Sequence, residues 1–457
     1  MREARATNDP RPETIDRQRQ VMRQGVKRAV GVCAAALALT GCLSDAGGGD
    51  FVARLMSPDA TAVATPTHAE KLNAESAIIQ GLVARRSLLP AGSSFERVAV
   101  AVLAANARTA EAELRSARLR SEAASKNWLP RIGPDISLTS LGSLVANLVV
   151  DQVLFDNGKR KGEREFAVAD VEVAAVNLAQ DTNDRVATAL ELYLTAAEGR
   201  EKAALAERSF RDMSHFEYIM AERVKGGVSD RSDLNILQQK LAEITADRRA
   251  SQEQAGTALA ELNAMSVEPL SGLSGVPAFS VSSTAAQPLE VVKAEAEKTR
   301  AIAAARIDRA DQLPGVSAGG TLGENSDLGI RVRAQNLIGF GTGDTLRAIE
   351  ATKEAAGRRV AQADEDASRA LRKLEGQIAA SARQAQEAAA LTARAKTNLD
   401  LFQAQYDAGQ RQVIDVVSVY ETFTRQQHSE VTLKYETLLL QVEMARLLGV
   451  LADGDAI

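Results

Sequence analysis

Gln152-Val153-Leu154-Phe155-Asp156-Asn157-Gly158 returns further along the chain as Gln335-Asn336-Leu337-Ile338-Gly339-Phe340-Gly341. The correspondence extends on both sides. Pro130, Gly227 and Asp233 match Pro314, Gly409 and Asp415, so residues 130–234 reappear at 314–416 with a shift that stays near 183 positions. A shift that steady over about a hundred residues marks a tandem duplication, and long-period self-similarity outranks any local reading of secondary structure. Each copy runs from an extended segment into a very long helical one.

Composition supports long thin helices. Only 4% of the 457 residues are aromatic and 11 are proline, while Ala, Leu, Glu, Gln and Arg, all good helix formers, dominate. The 55 basic and 60 acidic residues are interleaved at a net charge of −5, which leaves no basic stripe for nucleic acid. His68, His215 and His428 stand far apart, so no metal site and no cofactor are expected.

Arg23, Lys27 and Arg28 precede an apolar run from Ala29 to Leu39 and then Thr40-Gly41-Cys42, the layout of a secretory signal too short to span a bilayer. Residues 1–21 are polar, and Met22 is the start that fits such a signal. The Leu39-Thr40-Gly41-Cys42 ending resembles the bacterial lipobox, which implies lipidation at Cys42, and Leu43 in place of Asp points to the outer membrane. The expected organisation is a signal peptide at 1–41, a lipidated tether at 42–67, a first repeat at 68–267, an equatorial linker at 268–288, a second repeat at 289–451 and a tail at 452–457.

Apolar positions at threes and fours predict one helix from Phe95 to Asn127, closed by Pro130. Two short β-type runs around Gly142-Ser143 suit a hairpin, and a second pair surrounds Gly323–Ser326 with Ile330 and Val332 alternating against Arg331 and Arg333. The second pair is thin in apolar residues. Proline-free helices are predicted over 161–224 and 344–406, each ended by glycine (Gly226-Gly227 and Gly409) and each followed by a return helix. At 1.5 Å per residue the first long helix covers roughly 95 Å, and the helices at 229–265 and 289–312, roughly 55 and 36 Å, stack to match it. By the same count the C-terminal helix and the helix from Phe95 stack opposite the second long helix.

These pieces resemble the TolC family of outer-membrane channel-tunnels over residues 68–451. The likeness lies in Gln152–Arg160 at the strand-to-helix junction, Gly227–Leu234 and Gly409–Val416 at two tip turns, and Ala445–Leu451 at the close. It implies a fold that is mainly α with a small β part: internally duplicated long antiparallel helical coiled coils plus two β-hairpins per chain, assembling as a trimeric β-barrel and α-helical barrel. It also implies an outer-membrane exit duct for efflux or type I secretion, with a periplasmic adaptor and an inner-membrane ABC or proton-driven transporter as partners. The family's periplasmic gate maps onto Asp233, Tyr406 and Arg411, and its pore-lining acidic ring onto Asp415. Ser418 stands where some members carry a second aspartate. The tip turns that face an adaptor map onto Gly226, Gly227, Val228, Ser229, Gly409 and Gln410.

Two other readings share some of these features. A periplasmic adaptor lipoprotein has a lipid anchor and a long α-hairpin, but one hairpin inside β-rich domains rather than two in tandem. A coiled-coil spacer would need no β-hairpins. Enzymatic readings find no support: Gly339-Phe340-Gly341-Thr342-Gly343 lacks dinucleotide spacing and a βαβ unit, and no Ser/His/Asp set appears.

Overall fold

The computed structural model describes residues 76–105, 109–140, 143–322, 326–333 and 339–456. Met22, Cys42, the tether and His68 lie outside the described residues, as do Gln335 and Leu337. In chain order the elements are α1 (Ala77–Val83), α2 (Ser94–Ala104), α3 (Thr109–Ser125), β1 (Arg131–Ser140), β2 (Ser143–Phe155), α4 (Lys159–Lys225), α5 (Arg231–Met265), α6 (Leu289–Asp311), β3 (Gly315–Leu322), β4 (Asp327–Arg333), α7 (Thr342–Asp407) and α8 (Val413–Leu448).

The four strands form one antiparallel sheet in the order β1-β2-β3-β4. The two predicted hairpins are therefore joined, because β2 pairs with β3 from Leu148↔Leu322 to Phe155↔Val316. Every helix connected to the sheet enters or leaves at the same end. Below that end hangs the rod.

α4 and α7 are its two long members, 67 and 66 residues, or about 100 Å each. They differ in burial. Twenty-six residues of α4 are buried and they lie on several faces, whereas six of α7 are, among them Leu374, Ser381 and Ala388 at seven-residue spacing. Apolar residues all round belong to a helix packed on all sides, and a single heptad stripe belongs to one packed along a seam. α4 accordingly packs against α1, α2, α3, α5, α6 and α8, while α7 packs against α8 and α6.

The structure departs from the sequence-based expectation at two places. The helix expected over 95–127 is two helices, since Ala105 leaves helical geometry at ψ 89 after α2. The pairing expected opposite the second long helix is also different: α2 and α3 lie on α4, and α6 takes the place beside α7. Helix length sets how far a helix reaches but not which neighbour it takes. In the sheet-proximal half the helices thus run α3, α4, α6, α7, with α3 and α7 outermost.

Three apolar clusters hold the rod. Between the sheet and mid-length, Leu114, Val171, Ala175, Leu178 and Val292 pack with Ile79 and Leu82 of α1. At mid-length, Phe95 meets Tyr193 and Phe279 edge-on, with ring centroids 6.2 and 5.9 Å apart. Tyr193 Oη donates to the carbonyl of Gly275 at 2.6 Å. The Ser, Gly and Pro-rich stretch between α5 and α6 buries Leu270, Leu273 and Phe279 in this cluster. The third cluster closes the far end.

The segments that follow α1 and α8 clasp at mid-length. Leu88 N donates to Val450 O at 2.9 Å, Gly454 N to Arg85 O at 3.1 Å, and Leu451 N to the buried Asn183 Oδ1 at 2.9 Å. Gly449 makes the turn possible at φ 65, and a Cβ there would stand 2.5 Å from Leu289 Cδ1. Gly449→Ala is expected to cost about 2 kcal/mol or more from left-handed strain and overpacking. Gly357→Ala, in α7 with open space at the Cβ position, should stabilise by up to about 1 kcal/mol. Denaturant titration of the purified protein checks both signs.

Candidate functional site

Strand register sorts the sheet into two unlike faces. On one face the paired rungs are Ile132, Val150, Gly320, Leu328; then Pro134, Leu148, Leu322; then Ala318 and Ile330 beside Gln152; then Val316 and Val332. Leu328, Ile330 and Val332 are 87%, 72% and 70% exposed, so no described residue covers this apolar row. Gln152, its polar member, sits at the helix end and donates to the carbonyls of Trp128 and Val153 at 3.0 and 3.1 Å. The opposite face carries Arg131 opposite Asp151, Asp135 opposite Asn147, and Asp327 and Arg331. A Cβ on Gly319 would lie 3.3 Å from Arg331 Nη1 and 3.4 Å from Asp151 Oδ1, so the glycine lets charges from β4 and β2 approach across β3. The second hairpin, thin in apolar residues when read as sequence, contributes a full apolar row once its register is known. β1 and β4 are the outer strands of the order.

At the sheet-to-rod junction Asn157 adopts φ 53 and Gly158 φ 86. Asp156 caps the turn by accepting from Gly158 N at 3.0 Å and Arg160 N at 2.8 Å. Asn157 Nδ2 donates to Pro314 O at 2.9 Å, and Lys159 pairs with Asp311 at 2.7 Å, so this junction also ties the first repeat to the start of β3. Sequence reading placed the turn but missed the tie.

The far end of the rod carries the two glycine turns. Gly227 and Gly409 have φ 72 and 74, and in each turn the following amide reaches back five residues: Val228 N to Arg223 O at 2.9 Å, and Gln410 N to Gln405 O at 2.8 Å. That is the left-handed helix end which glycine supplies without strain. Gly226 is the C-cap of α4, Val228 is exposed, and Ser229 precedes the N-cap Asp230 of α5. Asp233 and Asp415 hold the same place, the third residue of α5 and of α8. There a carboxylate favours the positive helix end, and Asp415 Oδ2 accepts from Gln412 N at 3.3 Å in a capping box.

Tyr406 and Arg411 line one cleft with Arg223, Asp407 and Gln412. Arg411 stacks 4.4 Å over Phe402 and donates from Nε to Gln405 Oε1 at 2.9 Å. Among the described residues of one chain no ion pair joins Arg411 to Asp233. Arg223, which sequence reading missed, stands at the repeat position of Gln405. Beneath the turns Met213, Phe216, Met220, Leu237, Val413, Val416 and Tyr420 form the end cluster. Tyr420 Oη donates to Asp212 Oδ2 at 2.7 Å, and Lys240 reaches Glu421 at 3.5 Å.

No family model and no curated sequence relative matches the chain. Solved structures do. The outer membrane protein VceC of Vibrio cholerae aligns with a TM-score of 0.69 at 14% identity, covering 78% of this chain and 96% of its own. The CmeC outer membrane channel of Campylobacter jejuni aligns at 0.65 and 12%, over 79% and 86%. The open state of the MtrE outer membrane channel of Neisseria gonorrhoeae aligns at 0.64 and 14%, over 80% and 91%. The chain has the TolC-like channel-tunnel fold.

Within this fold the groove between α4, α5 and α8 gathers Lys240, Glu243, Asp247, Glu421, Arg425 and His428. Burial above all, and then Lys202, push the His428 imidazole below its ordinary value of 6.5, against Asp247. A depressed folded value means that the folded chain binds this proton less readily than the unfolded one. The stability His428 contributes is therefore present above pH 6.5 and lost as pH falls through it. His428→Gln should flatten the fall in melting temperature between about pH 7.5 and 5.5. Paired melts of parent and variant across that window read the difference.

Proposed function

We propose that three copies of the chain close edge to edge into an outer-membrane channel. The observation that carries this reading is the two-faced sheet, apolar across all four strands on one side and charged on the other, with an outer strand at each border. Lipid has no groups to pair with strand edges, so a membrane sheet must be closed. With four antiparallel strands per chain, β4 of one copy runs antiparallel to β1 of the next, and the alternation continues around the ring.

Three copies make a twelve-stranded barrel. That number lies between the eight strands whose interior side chains fill and the sixteen or more that leave a wide aqueous channel. In the rod, α7 of one copy would meet α3 of the next beside the sheet and α5 of the next toward the tip, where α5 would cover the exposed Leu391 and Leu401. The exit duct so formed would serve a tripartite efflux pump or a type I secretion system, anchored by a lipid at Cys42. A periplasmic adaptor would meet the tip turns, and an inner-membrane ABC or proton-driven transporter would feed the duct. The polar cleft at the tip and the names of the aligned channels support this direction.

At the tip, Arg411 would reach Asp233 of a neighbouring copy, since within one chain it rests on Phe402 and Gln405. A charge-assisted contact of that kind holds the aperture until a partner's binding energy displaces it. Arg411→Ser is expected to raise single-channel conductance in planar bilayers several-fold, and an unchanged conductance removes the latch. The three Asp415 carboxylates would form a cation-preferring ring. Asp415→Asn should shift the reversal potential in a salt gradient toward loss of cation preference, and the same recordings on the parent supply the reference. Purified protein that stays monomeric in mild detergent and forms no pore overturns the whole reading.

A further inference from the structure

Between the two turns at the far end of the rod is a polar cleft of about 580 Å³, lined by Arg223 of α4 and by Tyr406, Asp407, Gln410, Arg411 and Gln412 of the second hairpin. The duplication shows what each arginine does for the turn it sits on. In both turns the closing bond uses backbone alone, from Val228 N to Arg223 O and from Gln410 N to Gln405 O. In the second copy Arg411 Nε also donates to Gln405 Oε1 at 2.9 Å. The first copy has Arg223 in place of Gln405 and Ser229 in place of Arg411, so it has no counterpart of this bond. The Arg223 side chain therefore has no part in its own turn. Nor does the end of α4 depend on it, since Lys225 supplies a second cation to the same last turn.

Both guanidiniums stand without an acid. Among the described residues the Arg223 side chain makes no hydrogen bond or ion pair, and its Nε is sealed from solvent with no acceptor while its two terminal nitrogens stay open. Arg411 rests on the Phe402 ring and uses Nε on Gln405, which leaves its terminal nitrogens free as well. The one acid in the cleft, Asp407, accepts from Gln403 at 3.3 Å, so the lining carries two positive charges against one negative.

We propose that this cleft is an oxyanion site in which Arg223 and Arg411 clamp a carboxylate or phosphate group. A guanidinium presents paired N–H donors in a fixed fork that fits two oxygens of such a group, and two like charges in one cleft are relieved by an anion between them. Partial burial strengthens the contact, because a donor cut off from water gains more from a charged acceptor. The ligand is a dissolved oxyanion or an acidic side chain presented by another protein, which share this chemistry. The proposal deepens the channel reading and rests on it for one consequence: an anion held on Arg411 competes with Asp233 of a neighbouring copy and so releases the latch. Binding itself needs only the single chain.

Equilibrium dialysis of the purified full-length protein against labelled inorganic phosphate, and separately against labelled hexaglutamate, reads the site. Saturable uptake of one phosphate per chain, with a Kd on the order of 1 mM, is the expected result. Arg223→Gln should weaken uptake about tenfold, whereas Lys225→Gln, outside the cleft and paired with Glu222 at 2.7 Å, should leave it within about twofold. Asp407→Asn removes the opposing charge and should tighten uptake several-fold. The two cleft variants act in opposite directions, so a folding defect cannot imitate both. Uptake of neither probe, or equal loss in Lys225→Gln, overturns the site. Hexaglutamate bound more tightly than phosphate assigns it to an acidic side chain of a partner, and hexaglutamate bound no more tightly assigns it to a dissolved anion. In planar bilayers, phosphate should raise single-channel conductance several-fold on the parent and not on Arg223→Gln at the same concentration. Uptake with unchanged conductance overturns the competition with Asp233, conducting pores with no uptake overturn the site alone, and uptake by a protein that forms no pore overturns the channel reading while the site stands.

Discussion

A proline-free helix of 67 residues cannot stand alone in water, and α4 carries apolar side chains on more faces than one neighbour could cover. Burying them dictates most of the remaining architecture. The turn at Gly226-Gly227 returns α5 along one side, α6 continues that cover toward the sheet, α2 and α3 take another face, and α8 closes the far half. α7 is the exception. Its single stripe is met by α6 and α8, and the rest of its length faces outward. One duplicated unit has thus become two helices with different duties, a central post and a border. The difference lies in composition: Val171, Val176, Leu178, Val186 and Leu190 in the first copy stand where the second is rich in Ala, Glu, Gln and Arg.

A rod this thin has no central core, so its stability must be renewed along its length. The mid-length cluster does this with the protein's larger side chains, Phe95, Tyr193, Phe279 and Tyr435, and with the segments that follow α1 and α8. Arg85 reaches the carbonyls of Leu448 and Gln287, so the segment after α1 and the end of α8 meet the start of α6 at one point. Breaks between stacked helices fall here, and the clasp covers them. Two helices can replace one long helix as a neighbour only where the junction is itself packed.

Much of this was legible in the sequence and some was not, for physical reasons. Glycine after a long proline-free run gave both helix ends to within a few residues, because only a left-handed residue ends such a helix without strain. The break at Ala105 carries no such mark, and alanine is a strong helix former, so local propensity pointed the wrong way. The neighbour of α7 was misassigned because matching lengths cannot choose between helices that all fit. The apolar face of β3 and β4 was hidden for another reason. β3 is Gly-Val-Ser-Ala-Gly-Gly-Thr-Leu, and its small residues show little alternation until pairing to β2 and β4 lines Val316, Ala318 and Gly320 up with Ile330 and Leu328. Likewise a Ser, Gly and Pro-rich composition concealed Leu270, Leu273 and Phe279, which act singly rather than as a run.

The duplicated aspartates show how a site can be built on a structural need. Asp233 and Asp415 sit at the third position of helices that begin directly after a glycine turn, where a carboxylate offsets unpaired amide donors. Asp415 is held there by the Gln412 amide, so its direction is set by the helix and not by the freedom of its side chain. Arg411, two residues after its glycine, is held by Phe402 and Gln405 of the same hairpin. Acid and base at the tip are each fixed to backbone geometry within a few residues, on hairpins that meet through the Tyr420 and Lys240 contacts. A change in spacing between hairpins therefore moves these charges as rigid fittings, and any contact they make across copies is made or lost by the packing of α4, α5, α7 and α8 rather than by a side-chain rotation.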